Sequence, residues 1–285
     1  MLLSKQDEYR SVLIKTGARF TLPWILAIVF LLAACEPAQN IPMDVPSSAA
    51  QSIDAAPVRP AEDALTHNQA ILRKSRIDDI HYKLFFDLAS SESFFTGRSG
   101  LRFKLSDSNS PLTIDFSGGE VDQVTVNGNE ITVDYNGAFI TIPANTLVTG
   151  SNEVKVDYRH DYSKDGTGLH RFTDPEDGLT YLYTYLWPYY ANRLFPAFDQ
   201  PNLKATFDLK VRAPESWTVV STASGAVSKT DDSASTWDFA TTAKMSTYIF
   251  SLHAGPYRAW EAMAGDIPIR LFARQSLAPH VAVDE

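Results

Sequence analysis

Cysteine is nearly absent from this sequence: a single residue, Cys35, in 285. One thiol excludes an internal disulfide, a thiolate zinc cluster and a CxxC redox pair. Histidine is scarce and scattered. His67, His81, His160, His170, His253 and His280 stand singly, with no two at i, i+4, so the paired imidazoles of a helix-borne zinc site are not encoded in this stretch. Positive charge is in deficit: 25 Lys and Arg against 34 Asp and Glu give −9. Residues 1–34 carry +2 (Lys5, Arg10, Lys15 and Arg19 against Asp7 and Glu8), which leaves −9 − 2 = −11 on the remainder. A body that acidic is a poor nucleic-acid binder. No serine sits in a GxSxG setting, so a nucleophile-elbow hydrolase has no support. The acidic run Asp174-Pro175-Glu176-Asp177-Gly178 lacks EF-hand spacing and reads as a turn ahead of a strand. His170, beside Arg171, has no nucleophile in its sequence context and reads as structural. No repeat recurs at a fixed spacing. What remains is 44% hydrophobic and 21% charged with 14 Gly and 16 Pro, an ordinary globular composition that excludes wholesale disorder, collagen-like and coiled-coil structure.

The one long apolar run, Leu22 to Leu32, follows a charged stretch ending at Arg19 and closes on Ala33-Ala34-Cys35. It is short for a mature membrane span, and a basic leader, an apolar core and small residues before a cut site describe a secretory signal. The tetrad Leu32-Ala33-Ala34-Cys35 resembles the lipobox of bacterial lipoproteins, which implies a signal peptide over residues 1–34 and lipidation of Cys35. The other reading is an uncleaved anchor with a chance cysteine. Lipidation would place the protein in a bacterial cell envelope, anchored to a membrane and facing the periplasm or exterior. Residues 35–66 are rich in Pro, Ala and Ser with no apolar periodicity, and read as a flexible tether.

From Asp79 onward apolar residues alternate with period two, which predicts strands with one buried face. Ile80, Tyr82, Leu84, Phe86 and Leu88 form one such face; Leu101, Phe103 and Leu105 form another, with Arg102 and Lys104 outside. Leu112, Ile114 and Phe116 alternate with Thr113 and Asp115, which the pattern places outward. Val124-Thr125-Val126 and Ile131-Thr132-Val133 flank Asn127-Gly128-Asn129, a tight-hairpin signal. Strands are also expected at Val154–Tyr158, Phe207–Val211, around Trp237 and Phe239, at Tyr248–Leu252 and at Ile267–Leu271, with Ser228–Ser235 as a polar hairpin tip. Amphipathic helices are not evident. The pattern predicts an all-β sandwich or saddle of packed, mostly antiparallel sheets, and about 200 residues suffice for one core.

One stretch breaks the alternation. Leu179 to Phe207 reads as a strand, an aromatic loop holding Pro188, Pro196 and Pro201, and the entry to another strand. Its run Ala191-Asn192-Arg193-Leu194-Phe195-Pro196, followed by Phe198-Asp199-Gln200-Pro201 and Lys204-Ala205-Thr206-Phe207, resembles the hallmark of the N-terminal domain of the aminopeptidase N family of zinc peptidases. Gly166-Thr167-Gly168-Leu169-His170-Arg171-Phe172, Ala213-Pro214, Trp217, Met245-Ser246-Thr247-Tyr248 and Gly255 fall in the order of that family, and the resemblance covers about residues 68–280. It implies a β-saddle over residues 67–275, packed in the full enzyme against a catalytic domain that supplies HExxH, GxMEN and the zinc. None of these motifs occurs in the 285 residues, so no catalytic residue, metal ligand or cofactor is assigned to this chain. Residues 276–285 are expected to begin the linker into that absent domain.

The resemblance also marks a substrate wall. The family presents a T-Q-x-E/Q-P motif whose acidic or amide side chain grips the substrate's free α-amine, because a desolvated ammonium needs acceptors. Aligning on Thr184 and Pro188 puts Tyr185 at the Gln position and Trp187 at the Glu/Gln position. An indole offers only an N–H donor and a ring face. Either Trp187, with Tyr185, Tyr189 and Tyr190, holds an ammonium by cation–π contact, or aromatics fill a cleft wall that is not used. Asp199, between prolines, is expected to accept hydrogen bonds from backbone or from Arg193. Two functions follow: the non-zinc domain of a membrane-tethered aminopeptidase, inactive alone, or a free-standing lipoprotein domain binding a peptide or protein partner through its aromatic loop.

Overall fold

The computed structural model describes residues 59, 64–89, 91–231 and 233–282; the apolar run, Cys35 and nearly all of the expected tether lie outside the described residues. Helix α1, His67–Arg76, opens the body ahead of the stretch from Asp79 in which no amphipathic helix is expected. Thr66 caps it: its hydroxyl accepts from the Gln69 N–H while Gln69 Oε1 accepts from the Thr66 N–H at 3.0 Å, the reciprocal capping box. The apolar periodicity that would have announced it is absent, since Ile71 and Leu72 are exposed and the buried residue is Arg73. Among the described residues no helix is long and apolar enough to cross a membrane.

In chain order the first strands are β1 Ile77–Asp87, β2 Phe94–Leu105, β3 Leu112–Asp115, β4 Glu120–Val126, β5 Asn129–Ile131, β6 Phe139–Ile142, β7 Gly150–Asp161 and β8 Gly168–Thr173. Then come β9 Thr180–Tyr185, β10 Ala205–Pro214, β11 Thr218–Ser221, β12 Gly225–Asp231, β13 Ala234–Phe239, β14 Leu252–Gly255, β15 Arg258–Ala264 and β16 Ile267–Ala273. They form an eight-stranded sheet ordered β12-β13-β10-β1-β2-β7-β4-β5, a four-stranded sheet ordered β11-β14-β9-β8, and two pairs, β3-β6 and β15-β16. All pairings between strands are antiparallel except β1 with β10. The protein is an all-β sandwich.

The period-two faces fold as the alternation requires. Ile80, Tyr82, Leu84, Phe86 and Leu88 are buried, as are Leu101, Phe103 and Leu105, while Arg102 and Lys104 are exposed. One apolar cluster joins the inner face of the large sheet to β3, β6, β9, β14 and the Leu194–Phe198 loop. Asn127 and Gly128 take φ values of 50° and 85° and turn the β4–β5 hairpin, the left-handed pair that suits strand twist. Three expectations are corrected. Asp115, expected outside, is fully buried. Tyr248–Leu252 is no strand: Thr247–Ile249 makes a 3-10 turn and β14 starts at Leu252, because the Thr247 hydroxyl is drawn onto Asp199 at 2.6 Å. Most of Ser228–Ser235 is ladder rather than tip, since β12 runs to Asp231 and β13 begins at Ala234.

Candidate functional site

The loop after β9 owes its shape to buried hydrogen bonds. Asp115 and Ala197 exchange backbone bonds at 2.8 and 3.0 Å, the Ser99 hydroxyl donates to the Pro196 carbonyl at 2.8 Å, and the Tyr158 hydroxyl to that of Leu194 at 3.0 Å. The Phe198 N–H donates to the Tyr82 hydroxyl at 2.9 Å. Around these bonds Phe195 and Phe198 sink into an aromatic cluster, with Phe195 against Phe250 at 5.5 Å and Phe198 edge-on to Phe103 at 5.1 Å. Such pairs add about 0.5–1.5 kcal/mol to the area each ring buries. The hallmark loop is therefore a framework, and side chains at its rim are held by it.

Two buried carboxylates lie beneath. Asp115 accepts from Arg73 at 2.5 and 2.9 Å, from Arg59, and from the Asp199 N–H at 2.9 Å. Burial works against its charge, but Arg73 and then Arg59 hold the carboxyl below the ordinary range. Arg73 is likewise opposed by burial yet raised by Asp115. Asp199 accepts from the Asn192 N–H at 3.0 Å, from Asn192 Nδ2 at 3.1 Å and from Thr247. Burial first, with the nearby Asp115 charge, pushes it up to about 6. Arg193 is not its partner: its guanidinium donates to Thr167 at 3.0 Å and reaches Asp165 at 3.4 Å.

Tyr185 and Trp187 stand at the end of β9 and are 46% and 59% exposed, so both are open to a ligand. Tyr185 pairs with Gly168 of β8 and lies 6.4 Å from Tyr190. The four aromatics do not converge on one point. Tyr189 turns inward, where its hydroxyl accepts from Arg59 at 3.2 Å, and the Arg193 guanidinium already covers the Tyr190 ring at 5.0 Å. Tyr183, two residues before Tyr185 and on the same face, is exposed and packs on His170 at 4.9 Å. Asp174 and Asp177 form a turn and a clamp: Asp174 accepts from the Glu176 N–H, Arg274 and Ser276, and Asp177 from Tyr181 and the Ser276 N–H. Among the described residues no three His, Cys, Asp or Glu side chains group as a metal site.

A second exposed surface escaped the sequence reading. The β15–β16 hairpin pairs Trp260 with Leu271, Ala262 with Ile269 and Ala264 with Ile267, so one face is apolar throughout. Ile267, Ile269 and Leu271 are about half exposed or more. The signal was present as the alternation Ile267-Pro268-Ile269-Arg270-Leu271, but alternation does not say whether a face finds a partner.

An all-β sandwich threaded by a buried Asn-Arg-Leu-Phe-Pro loop, with an aromatic rim at its mouth, defines the class. Residues 78–249 match the family described as Peptidase M1 N-terminal domain, and the chain belongs to that family. It is 33% identical over 228 residues to aminopeptidase N of Streptomyces lividans, covering 77% of this chain and 26% of that one. Over 88 residues it is 36% identical to aminopeptidase N of Acetobacter pasteurianus, covering 30% and 25%. A probable aminopeptidase 1 of Sulfurisphaera tokodaii is 25% identical over 176 residues, covering 62% and 21%. The chain thus spans about a quarter of the length of these relatives.

Proposed function

We propose that this chain is the non-zinc, N-terminal domain of a membrane-tethered aminopeptidase N-like metallopeptidase, and that its aromatic rim lines the cleft that receives the substrate's free amine. The observation that carries the reading is the exposure of Tyr185 and Trp187 on a loop whose base is buried, in a chain of the M1 N-terminal family. A rigid base with an open rim is what a cleft wall requires. Zinc and the residues that hydrolyse the peptide bond would come from a further domain, and the 285 residues alone are inactive on this reading. Lipidation at Cys35 would tether the assembly to the envelope. The apolar face of the β15–β16 hairpin suits the remainder of such an enzyme, because a face of two seven-residue strands is too small for a stable free interface of roughly 1,200 Å² or more and is sufficient when the partner is linked.

In the second reading the domain stands free and binds a peptide or protein through the same aromatics. Both are tested by titrating the chain with a tripeptide and its N-acetyl form while following the Trp187 indole N–H by NMR. Cation–π capture, worth about 0.5–2 kcal/mol, predicts that the free amine binds roughly 2- to 30-fold more tightly than the N-acetyl form. Equal response to both peptides, or a response unchanged in the backbone of Trp187→Ala, would refute amine recognition.

A further inference from the structure

A glycine inside a strand gives up packing and adds disorder to the unfolded chain, so its presence has a cause. β2 holds two. Gly97 is explained by contact, since a Cβ there would run into the Tyr158 ring. Gly100 is not. Its φ lies outside the left-handed range, and a Cβ would make only ordinary contacts, 3.4 Å from the Lys83 carbonyl oxygen and 3.6 Å from the Lys83 Cβ. No bulge interrupts the ladder at this point: Lys83, Gly100 and Lys155 are direct partners across β1, β2 and β7.

What the missing side chain does is open the floor of a groove of about 730 Å³ on the outward face of the eight-stranded sheet. Lys83 and Lys155 flank the glycine in one row, and Arg98 and Arg102, two residues away along β2, project to the same face. All four line the groove. With Lys210 they make five fixed cations against Glu153, Asp208, Asp238 and Asp157, the partner of Arg98, an excess of one positive charge in a body that carries −11. The carboxylates are shared thinly: Glu153 serves both Arg102 at 3.1 Å and Lys155 at 3.0 Å, Asp208 bonds His81 and Asp238 bonds Lys210. Arg98 pairs with Asp157 at 2.6 Å. Among the described residues Lys83 has no ion pair within 4 Å.

We propose that the Gly100 groove binds a phosphate-type anion, carried either by a soluble phosphate ester or by an anionic lipid headgroup. A carboxylate offers two oxygens; a phosphate group offers three or more acceptors that can be shared among Lys83, Lys155, Arg98 and Arg102. The glycine floor lets the anion approach the sheet backbone without a side chain in the way.

The test is calorimetric titration of the full chain in non-ionic detergent micelles at low salt. The probes are inorganic phosphate, glycerol 3-phosphate, and micelles doped with phosphatidic acid. Heat from the soluble probes, or from the doped micelles alone, supports the site and distinguishes its two sources. Lys83→Gln should weaken binding about tenfold, the loss of one charge-assisted contact, and raised salt should weaken it further. Gly100→Ala should raise the melting temperature while lowering affinity, the opposite of what a structural glycine does. No heat with any probe, unchanged affinity in Lys83→Gln, or a lowered melting temperature in Gly100→Ala would overturn the proposal.

Discussion

A carboxylate taken out of water must find cations or donors to replace its hydration, and Asp115 and Asp199 meet that demand differently. Asp115 is neutralised by two arginines, so removing it leaves two buried guanidinium charges with too few acceptors. Asp115→Ala is expected to destabilise by about 3–5 kcal/mol, while the triple replacement Asp115→Leu, Arg73→Met and Arg59→Met should recover much of the loss. Urea unfolding of the variants measures both. Asp199 has neutral donors and a like charge nearby, and the two carboxyls give opposite pH dependence. Asp199 is raised to about 6, so its contribution is present below the unfolded value and fades as pH rises through 6. Asp115 is lowered, so its contribution is present above the unfolded value and fades as pH falls through its folded one. Stability should therefore peak near pH 4 and decline between roughly pH 4 and 6. Asp199→Asn, which cannot ionise, should flatten the decline between about pH 4 and 6 in thermal melts; an unchanged decline would assign it to another group. That Asp199 accepts backbone hydrogen bonds was legible from its place between prolines; the Asp115 network was not. Period two placed Asp115 outside, and its partners Arg73 and Arg59 lie 42 and 56 residues away, with Arg59 in a stretch that composition reads as tether.

At the scale of elements, strands with one buried face announce themselves, and β1, β2, β7 and β10 fall where alternation placed them. The β4–β5 turn was legible because Asn-Gly has a conformational reason to be there. Helix α1 was not, because a charge rather than an apolar stripe fixes it to the body, and the 3-10 turn at Thr247 was not, because a side chain from a distant loop decides it. The β15–β16 hairpin sits between these cases: its second strand was legible, its first strand and its open face were not. Changing Ile267 and Ile269 to Lys should leave the melting temperature within a few degrees, since exposed substitutions usually move stability by under about 0.5 kcal/mol. The same change should suppress self-association in sedimentation velocity over a concentration series. A wild-type chain that stays monomeric throughout would show that the face needs no cover.

On the scale of the whole molecule, the sandwich and its family could be read from the loop sequence, because the residues that thread a core must keep their identities for the threading to work. The candidate site was legible in part: Tyr185 and Trp187 lie at the rim, whereas Tyr189 belongs to the buried network and Tyr190 is covered by Arg193. Lipidation at Cys35 predicts that Cys35→Ala releases the protein from membranes or leaves an unprocessed precursor, and that palmitate label is lost with the thiol. Label retained in the variant would remove the anchor from the account. The central claim is that this domain shapes a cleft and leaves the chemistry to another. It is tested most directly by measuring zinc content and aminoacyl-anilide hydrolysis of the purified 285-residue chain. The account predicts no stoichiometric zinc and no hydrolysis above buffer; one tightly held zinc per chain with chelator-sensitive hydrolysis would contradict it.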